Sequence, residues 1–565
     1  MSAFASSSIA ALRRWSAVPS DVVLFLGGRS WLLFLGSGIW LLFLIGLRPL
    51  TMPDEGRYGG VAWEMLTSGA HLVPTLDGMP FFHKPPLYYW MAEGAYALFG
   101  AHVWAARLPS WLAAWAVAMA LHVFLRRWRG SMAAVVALLA LITQPIFFGA
   151  AQFANLDMLV AGLIGMTILT GAAVVMRAYA GQPYRALSLL VGVLAALGVL
   201  AKGLIGLVLP GAILVLWIVL RRRWRGFGVL LWPPVLAAFL ALTLPWFWVM
   251  QARFPDFLHY FFIYQQFERF AATGFNNVQP FWFYLPVVAA LAVPWTLWLG
   301  GAMRREFWRN TRRVPAAAAA RADASADVRW LMVCWLAVIL VFFSLPASKL
   351  VGYILPLFPA VAALAAEVIV AGLTRAGERR HASDRNFTLS LTLAMVLCVG
   401  GTVFATLKAK PNSVDLGRAA SAEMDPADTL IALHVYPYDL PMTLRLTAPM
   451  WVVDDWTQAD IPARDNWRKE LYDAGRFDGA AMQRNLISEQ EMTRRLCATT
   501  VDDTYWIWGE PAKDATRYAI LRDRAPRYTD SRRALWRIDV DGAFRQAHCA
   551  AAVLSASEDG AARQR

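Results

Sequence analysis

Charge is the first thing this chain has little of. Only 16% of its 565 residues are Asp, Glu, Lys or Arg, while 58% are hydrophobic. Soluble domains carry about 25% charged and about 45–50% apolar residues. The shortfall excludes a disordered chain and a soluble single domain. Cysteine is scarce as well, and four residues cannot frame a disulfide scaffold of this length. There is no nucleophilic-serine motif, no Gly-rich phosphate loop, no CxxC pair and no repeat at solenoid spacing. A polytopic membrane protein remains.

What charge there is lies unevenly. Residues 1–409 hold 32 Lys+Arg against 15 Asp+Glu, whereas residues 410–565 hold 21 against 24. The excess of positive charge sits between hydrophobic runs, where membrane topology accounts for it. With no recognition motif beside it, the reading includes no nucleic-acid partner. The runs fall near 30–48, 102–125, 131–150, 157–176, 186–201, 203–220, 228–250, 280–302, 329–346, 350–372 and 386–407. Arg126 to Arg129, Arg177/Arg185, Arg221 to Arg225, Arg304 to Arg313 and Arg375 to Arg385 occupy alternate connections, which the positive-inside rule places inside. Eleven crossings from an inside N-terminus put the tail outside. The stretch 87–99 could add a re-entrant or surface helix, so about 11 to 13 are expected. No cleavable signal peptide is evident, because the run after Arg29 is long enough to stay as an anchor.

Two outside segments are long, 49–101 and 251–279. Gly60–Met65 and Phe257–Phe270 within them are aromatic-rich and amphipathic, which suggests helices lying at the membrane surface. After Lys408 the composition changes. Short β-type runs (Thr429–Val435, Met450–Val453, Tyr505–Trp508, Tyr518–Leu521) alternate with helical stretches such as Trp467–Gly475. The expected plan is therefore mainly α, with a membrane domain over 1–409 and a small soluble α/β domain over 410–565. An outside tail would permit, without requiring, a Cys497–Cys549 bridge. Cys334 and Cys398 lie in apolar runs and read as packing residues.

The few acids of the membrane part are its most informative residues. Asp54, Glu55, Glu64, Asp77 and Glu93 share the first outside loop, and Asp157 is alone between Glu93 and Asp256. A carboxylate beside the bilayer core is costly unless paired or solvated, so Asp157 either serves an outward cavity or caps a helix after Asn155. Lysine shows the same economy. Residues 1–409 contain Lys84, Lys202, Lys349 and Lys408 only. The first three fall on the outer side, where, facing Asp54, Glu55 and Asp157, they could line an anion-binding pocket. Each could instead snorkel to a headgroup.

The strongest local motif is Met52-Pro53-Asp54-Glu55-Gly56-Arg57-Tyr58, directly after the first crossing. A helix cap there needs neither a second acid nor an Arg three residues on. Further motifs follow in order: Phe81-Phe82-His83-Lys84-Pro85-Pro86, Asn155-Leu156-Asp157-Met158, Ala201-Lys202-Gly203, Glu268-Arg269-Phe270 and Ser348-Lys349-Leu350-Val351-Gly352-Tyr353. Over residues 30–375 this series resembles the bacterial protein-mannosyltransferase-like membrane glycosyltransferases, and among them the lipid A aminoarabinose transferases.

The resemblance implies a GT-C membrane fold in the bacterial inner membrane, with a periplasmic tail. It also implies transfer of a sugar from an undecaprenyl-phosphate carrier to an acceptor outside, 4-amino-4-deoxy-L-arabinose and lipid A in the aminoarabinose branch. Carried over by position, Asp54 is the first-loop catalytic acid and Asp157 the second cavity acid. Arg57, Lys84, Arg269, Lys349 and Tyr353 then line the phosphate and sugar site, with Glu55, Tyr58, His83 and Lys202 as further substrate contacts. The residue chemistry agrees: a departing phosphate calls for cations, and a hydroxyl acceptor for a carboxylate base. A phosphate acceptor is already ionised and needs no base.

Two positions depart from the aminoarabinose pattern. His83 stands where Glu precedes the Lys-Pro, and Gln265-Gln266 stand where a Glu-His pair precedes the Arg-Phe. His83 with Asp54, Glu55 or Asp157 could still bind a divalent ion, so metal use stays open and no other cofactor is expected. Alternatives are another sugar with a protein or glycolipid acceptor, and a flippase or transporter without chemistry. The latter would hold its polar residues near the bilayer midplane.

Overall fold

The computed structural model describes residues 18–268, 277–309, 319–374, 378–409, 413–530 and 532–549. It divides into two compact units: Met1–Arg48 with Arg107–Lys408, and Pro49–Ala106 with Ala409–Arg565. The first outside loop, assigned from sequence to the membrane part, thus shares its unit with the tail.

The first unit is helical. Seven helices are long and apolar enough to cross a membrane: Val103–Arg129, Leu156–Tyr179, Arg185–Lys202, Pro233–Arg253, Asp323–Ser344, Val351–Leu373 and Arg380–Leu407. Three bent pairs raise the number to at most ten: Asp21–Gly27 with Ser30–Leu42, Ser131–Ile142 with Pro145–Ala151, and Tyr284–Leu291 with Trp295–Ala302. By length and composition the count among the described residues is therefore below the expected 11 to 13. The run at 203–220 forms a helix of only 16 residues, Ile205–Leu220, and 87–99 one of 13. The runs near 131–150 and 280–302 are bent rather than straight, and a bend at Gly28-Arg29 joins a preceding helix to the run near 30–48. Pro145 and Pro294, lacking a backbone N–H, head the second arms of the other two.

Small residues let these helices approach closely. A Cβ on Gly206 would lie 2.1 Å from the Gly198 carbonyl carbon, and one on Gly192 would lie 2.4 Å from the Val235 oxygen. The second outside segment also belongs to this packing. Phe257 and Phe261 are fully buried, and both rings sit against Phe247 of the helix before them.

The second unit holds an α/β sheet. Its strands are β1 (Thr75–Leu76), β2 (Met79–Pro80), β3 (Thr429–Leu433), β4 (Trp451–Val453), β5 (Leu486–Ile487), β6 (Asp503–Gly509), β7 (Tyr528–Thr529) and β8 (Ala534–Val540). β1 and β2 form a hairpin turning on Asp77-Gly78, both with positive φ, the pattern of a primed two-residue turn. The other six lie in the order β5-β4-β3-β6-β8-β7. β5, β4, β3 and β6 run parallel, and β8 and β7 complete an antiparallel edge. Tyr518–Leu521, expected as a strand, is a turn after the Pro511–Arg517 helix. Its apolar side chains join the sheet's core beside Ile431, Ile507 and Trp536 without entering the ladder. Cys497 and Cys549 are disulfide-bonded, and Cys334 and Cys398 are free and buried.

Helix Asp54–Ser68 also departs from expectation. Its glycine face, which reads from sequence as membrane-surface, is covered by protein. A Cβ on Gly60 would lie 2.8 Å from the Tyr438 oxygen and one on Gly56 would lie 3.1 Å from the Tyr438 Cβ. Amphipathicity alone does not distinguish a lipid partner from a protein one.

Candidate functional site

The sequence-derived candidates fall into two groups, one in each unit. In the second unit, Asp54 opens helix Asp54–Ser68 and its side chain is half exposed. Glu55, by contrast, is fully buried and its Oε2 accepts the Thr51 N–H at 2.8 Å. Glu55 therefore satisfies the backbone at the helix start, and the neighbouring carboxylate is spared that task. Arg57 lies one turn on. Its Nη2 donates to Asp54 Oδ1 at 2.9 Å, and its Nη1 to Glu470 of helix Trp467–Gly475. The Tyr438 hydroxyl donates to the same Glu470. Burial opposes charging Arg57, but Glu470, Tyr58, Tyr438 and Asp54 together outweigh it, and the guanidinium is held above its ordinary value. Tyr58 is buried, with its ring centroid 5.6 Å from that of Tyr88. His83 Nε2 lies 3.9 Å from the buried carboxylate of Asp473, and Lys84 beside it is partly buried.

Toward the other end of the same helix Glu64, partly buried, meets the buried Asp77 hairpin. Glu64 accepts the N–H groups of Asp77 and Gly78 at 2.7 and 3.0 Å. Asp77 accepts the Met450 N–H at 2.8 Å, and Asn485 donates to its carbonyl at 2.6 Å. Burial pushes the Glu64 carboxyl up to about 7. Burial and then Glu64 itself push Asp77 well above the carboxylate range.

In the first unit Asn155, not Asp157, caps helix Leu156–Tyr179, its side chain accepting the Asp157 N–H at 2.7 Å. The Asp157 carboxylate is ion-paired with Lys202 at the end of helix Arg185–Lys202. The Lys202 Nζ also stands 4.6 Å from the Tyr353 ring centroid. Gly352 makes room for this cluster: a Cβ there would lie 2.7 Å from Asp157 Oδ2. Lys349 is turned elsewhere. It is buried, and its Nζ donates to the carbonyls of Gln279, at 2.9 Å, and Pro346. It pins the bridge between Val278 and Ser348 and does not join Lys202 beside Asp157. Arg269 lies outside the described residues.

Comparison with known proteins gives this geometry a context. Residues 83–248 match the family described as dolichyl-phosphate-mannose-protein mannosyltransferase. The chain is 30% identical over 390 residues to an undecaprenyl phosphate-alpha-4-amino-4-deoxy-L-arabinose arabinosyl transferase of Erwinia tasmaniensis, covering 66% of each chain. It is 36% identical over 356 residues to a like-named transferase of Sodalis glossinidius, covering 60% of this chain and 59% of that one. The backbone superposes on the crystal structure of ArnT from Cupriavidus metallidurans bound to undecaprenyl phosphate, with a TM-score of 0.69. That match has 23% identity and covers 90% of this chain and 97% of the other. Over residues 83–248 the chain is thus similar to the protein-mannosyltransferase family, and the likeness in fold extends over most of its length. Its fold is GT-C, and it is a multi-pass membrane protein. The sequence matches span less than two thirds of these curated relatives' own length.

Beside these likenesses the placement of acids and cations is telling. One carboxylate is exposed and held by an arginine, and a second is clamped by a lysine under a tyrosine ring. Among the described residues no three His, Cys, Asp or Glu side chains gather to hold a metal ion. His83 has Asp473 for a neighbour. Sequence reasoning missed Glu470, Tyr438 and Asp473. No motif marks them, and they lie several hundred residues from the side chains they meet.

Proposed function

We propose that this chain is a polyprenyl-phosphate-dependent glycosyltransferase. It moves 4-amino-4-deoxy-L-arabinose from undecaprenyl phosphate to a phosphate of lipid A, at the periplasmic face of the bacterial inner membrane. The reading is carried by the extended similarity to relatives named as transferases of undecaprenyl phosphate-linked 4-amino-4-deoxy-L-arabinose. The exposed Asp54–Arg57 pair at the head of the first-loop helix is consistent with it.

In this reaction an acceptor phosphate oxygen attacks the anomeric carbon as the bond to the carrier phosphate breaks, so configuration inverts. The acceptor oxygen is already ionised, and no general base is required. Charge develops on the departing carrier phosphate, where a cation fixed in advance is worth most. Arg57, whose charge Glu470 and Asp54 hold in place against the cost of burial, has that character, and Lys84 is the second candidate. Asp54 steers Arg57 and offers a carboxylate to the cationic sugar carbon or amino group. In the first unit the Asp157–Lys202–Tyr353 cluster supplies a second polar surface for donor or acceptor.

The test is transfer by the full chain, purified in lipid, from undecaprenyl-phosphate aminoarabinose to lipid A. Native protein should transfer, and Asp54→Asn should lose about 10²-fold in kcat. No transfer by well-folded native protein would sink the substrate assignment. Full activity of Asp54→Asn would remove Asp54 from the site.

A further inference from the structure

The first unit contains a half-open cavity of about 500 Å³ whose lining includes none of the candidate site residues. It lies among helices Trp295–Ala302, Arg305–Arg309, Ala319–Ser344, Phe358–Leu373 and Glu378–Leu407. This is the end of the bundle that carries Arg304, Arg305 and Arg380, the inner side by the positive-inside rule. One wall is apolar, with Leu297, Trp298 and Val368, and Leu297 is 74% exposed. The other wall is polar, with Arg304, Arg329, Ser383 and Asn386.

The charges around it do not cancel. Among the described residues the charged ones lining it are Arg304 and Arg329; Glu367 is shared, Arg329 donating to one of its oxygens and Arg129 Nε lying 2.7 Å from the other, and the buried Asp384 lies 3.8 Å from Arg380. Arg329 is further held by the Phe307 carbonyl at 2.7 Å, with its guanidinium 4.3 Å from the Phe307 ring. Arg304 is exposed and has no ion pair among the described residues. Arg304 therefore lines, with no acid of its own among the described residues, a cavity whose outer lip is hydrocarbon.

A cavity of that size is in the range of small-molecule sites, about 300–1,000 Å³. A lone phosphate would leave most of it unfilled. We propose that it binds the headgroup of a net-anionic diacyl phospholipid of the inner leaflet. The phosphodiester would face Arg304 and Arg329, the glycerol hydroxyls Ser383 and Asn386, and the first methylenes Leu297 and Val368. Net-anionic lipids are favoured because a headgroup cation would meet the uncompensated guanidinium charge. The site uses no residue of the proposed transfer reaction, so its test does not depend on that reading.

The test is native mass spectrometry of the full chain, released from nanodiscs and titrated with phosphatidylglycerol, phosphatidylcholine or inorganic phosphate. Native protein should retain phosphatidylglycerol at least about tenfold more tightly than phosphatidylcholine. Arg304→Gln should remove most of that preference. Ala371→Phe should fill the cavity and abolish retention with charge unchanged, since Ala371 lines it and is exposed. Equal retention of the two lipids by native protein would overturn the proposal. So would an unchanged preference in both folded variants, or displacement of the lipid by equimolar inorganic phosphate.

Discussion

Arg57 shows how one side chain comes to serve two purposes. With Asp54 on its exposed side and Glu470 on its buried side, it presents charge outward while anchoring a helix from the tail. Removing the inner partner leaves the buried guanidinium with only the half-exposed Asp54 as a carboxylate partner among the described residues. Glu470→Gln should therefore cost about 3 kcal/mol of stability, read as a lower Tm of the detergent-solubilised protein, and Tyr438→Phe much less. Glu64 gives a second test at this scale. Its carboxyl, raised to about 7 from an unfolded value near 4.5, keeps its proton in the folded state where the unfolded chain has released it. The stability it lends is thus complete below pH 4.5 and lost as pH rises through 7. Glu64→Gln should flatten the fall in Tm between pH 5 and pH 8, a fall worth up to about 3 kcal/mol in native protein. An unchanged slope would place the proton elsewhere.

Among elements, helices were legible where apolar runs were long, and Trp467–Gly475 emerged with the bounds its amphipathic spacing suggests. Strands β3, β4 and β6 could be read from their β-branched and aromatic runs, whereas Tyr518–Leu521 could not be told from a strand, because burial without a ladder partner looks the same in sequence. The bends in three spans depend on Gly28, Pro145 and Pro294, which an apolar-run count passes over. The Asp157–Lys202 pair joins two helix ends, and Gly352 is the gap into which it fits. Gly352→Ala should push the carboxylate off its lysine and lower kcat about 10²-fold, since displacement by about 1 Å is costly, while expression stays intact. The Cys497–Cys549 bridge fastens helix Glu489–Ala498 to the residue after helix Gly542–His548. Replacing both cysteines by Ala should destabilise the tail by about 2–4 kcal/mol, seen as faster proteolysis of the tail at unchanged membrane insertion.

At the scale of the whole molecule, orientation follows from charge. Asp415, 97% exposed in the tail, should when changed to Cys react with a membrane-impermeant maleimide in intact spheroplasts. Arg222→Cys, in an Arg-rich connection, should react only after permeabilisation. The reverse pattern would invert the proposed topology. The sequence showed which residues were chemically odd, and Asp54, Arg57, Asp157 and Lys202 all proved to be paired. It could not show that Lys349 would turn to carbonyls or that Glu55 would serve its own helix, because both outcomes depend on backbone groups that carry no signature. Nor could it reveal that the first loop shares a unit with the tail, a union made by Asp77 with Met450 and by Gly60 against Tyr438.

That union has a consequence for biosynthesis. The two parts of the second unit are separated by Arg107–Lys408, roughly 300 residues, which take about 15 to 60 s to synthesise at about 5–20 residues per second. For that interval the loop has emerged without its complement, its glycine face and buried acids uncovered. A ribosome stalled anywhere before the tail would leave it so indefinitely. Only when the last quarter of the chain has been made can the loop bury its glycine face.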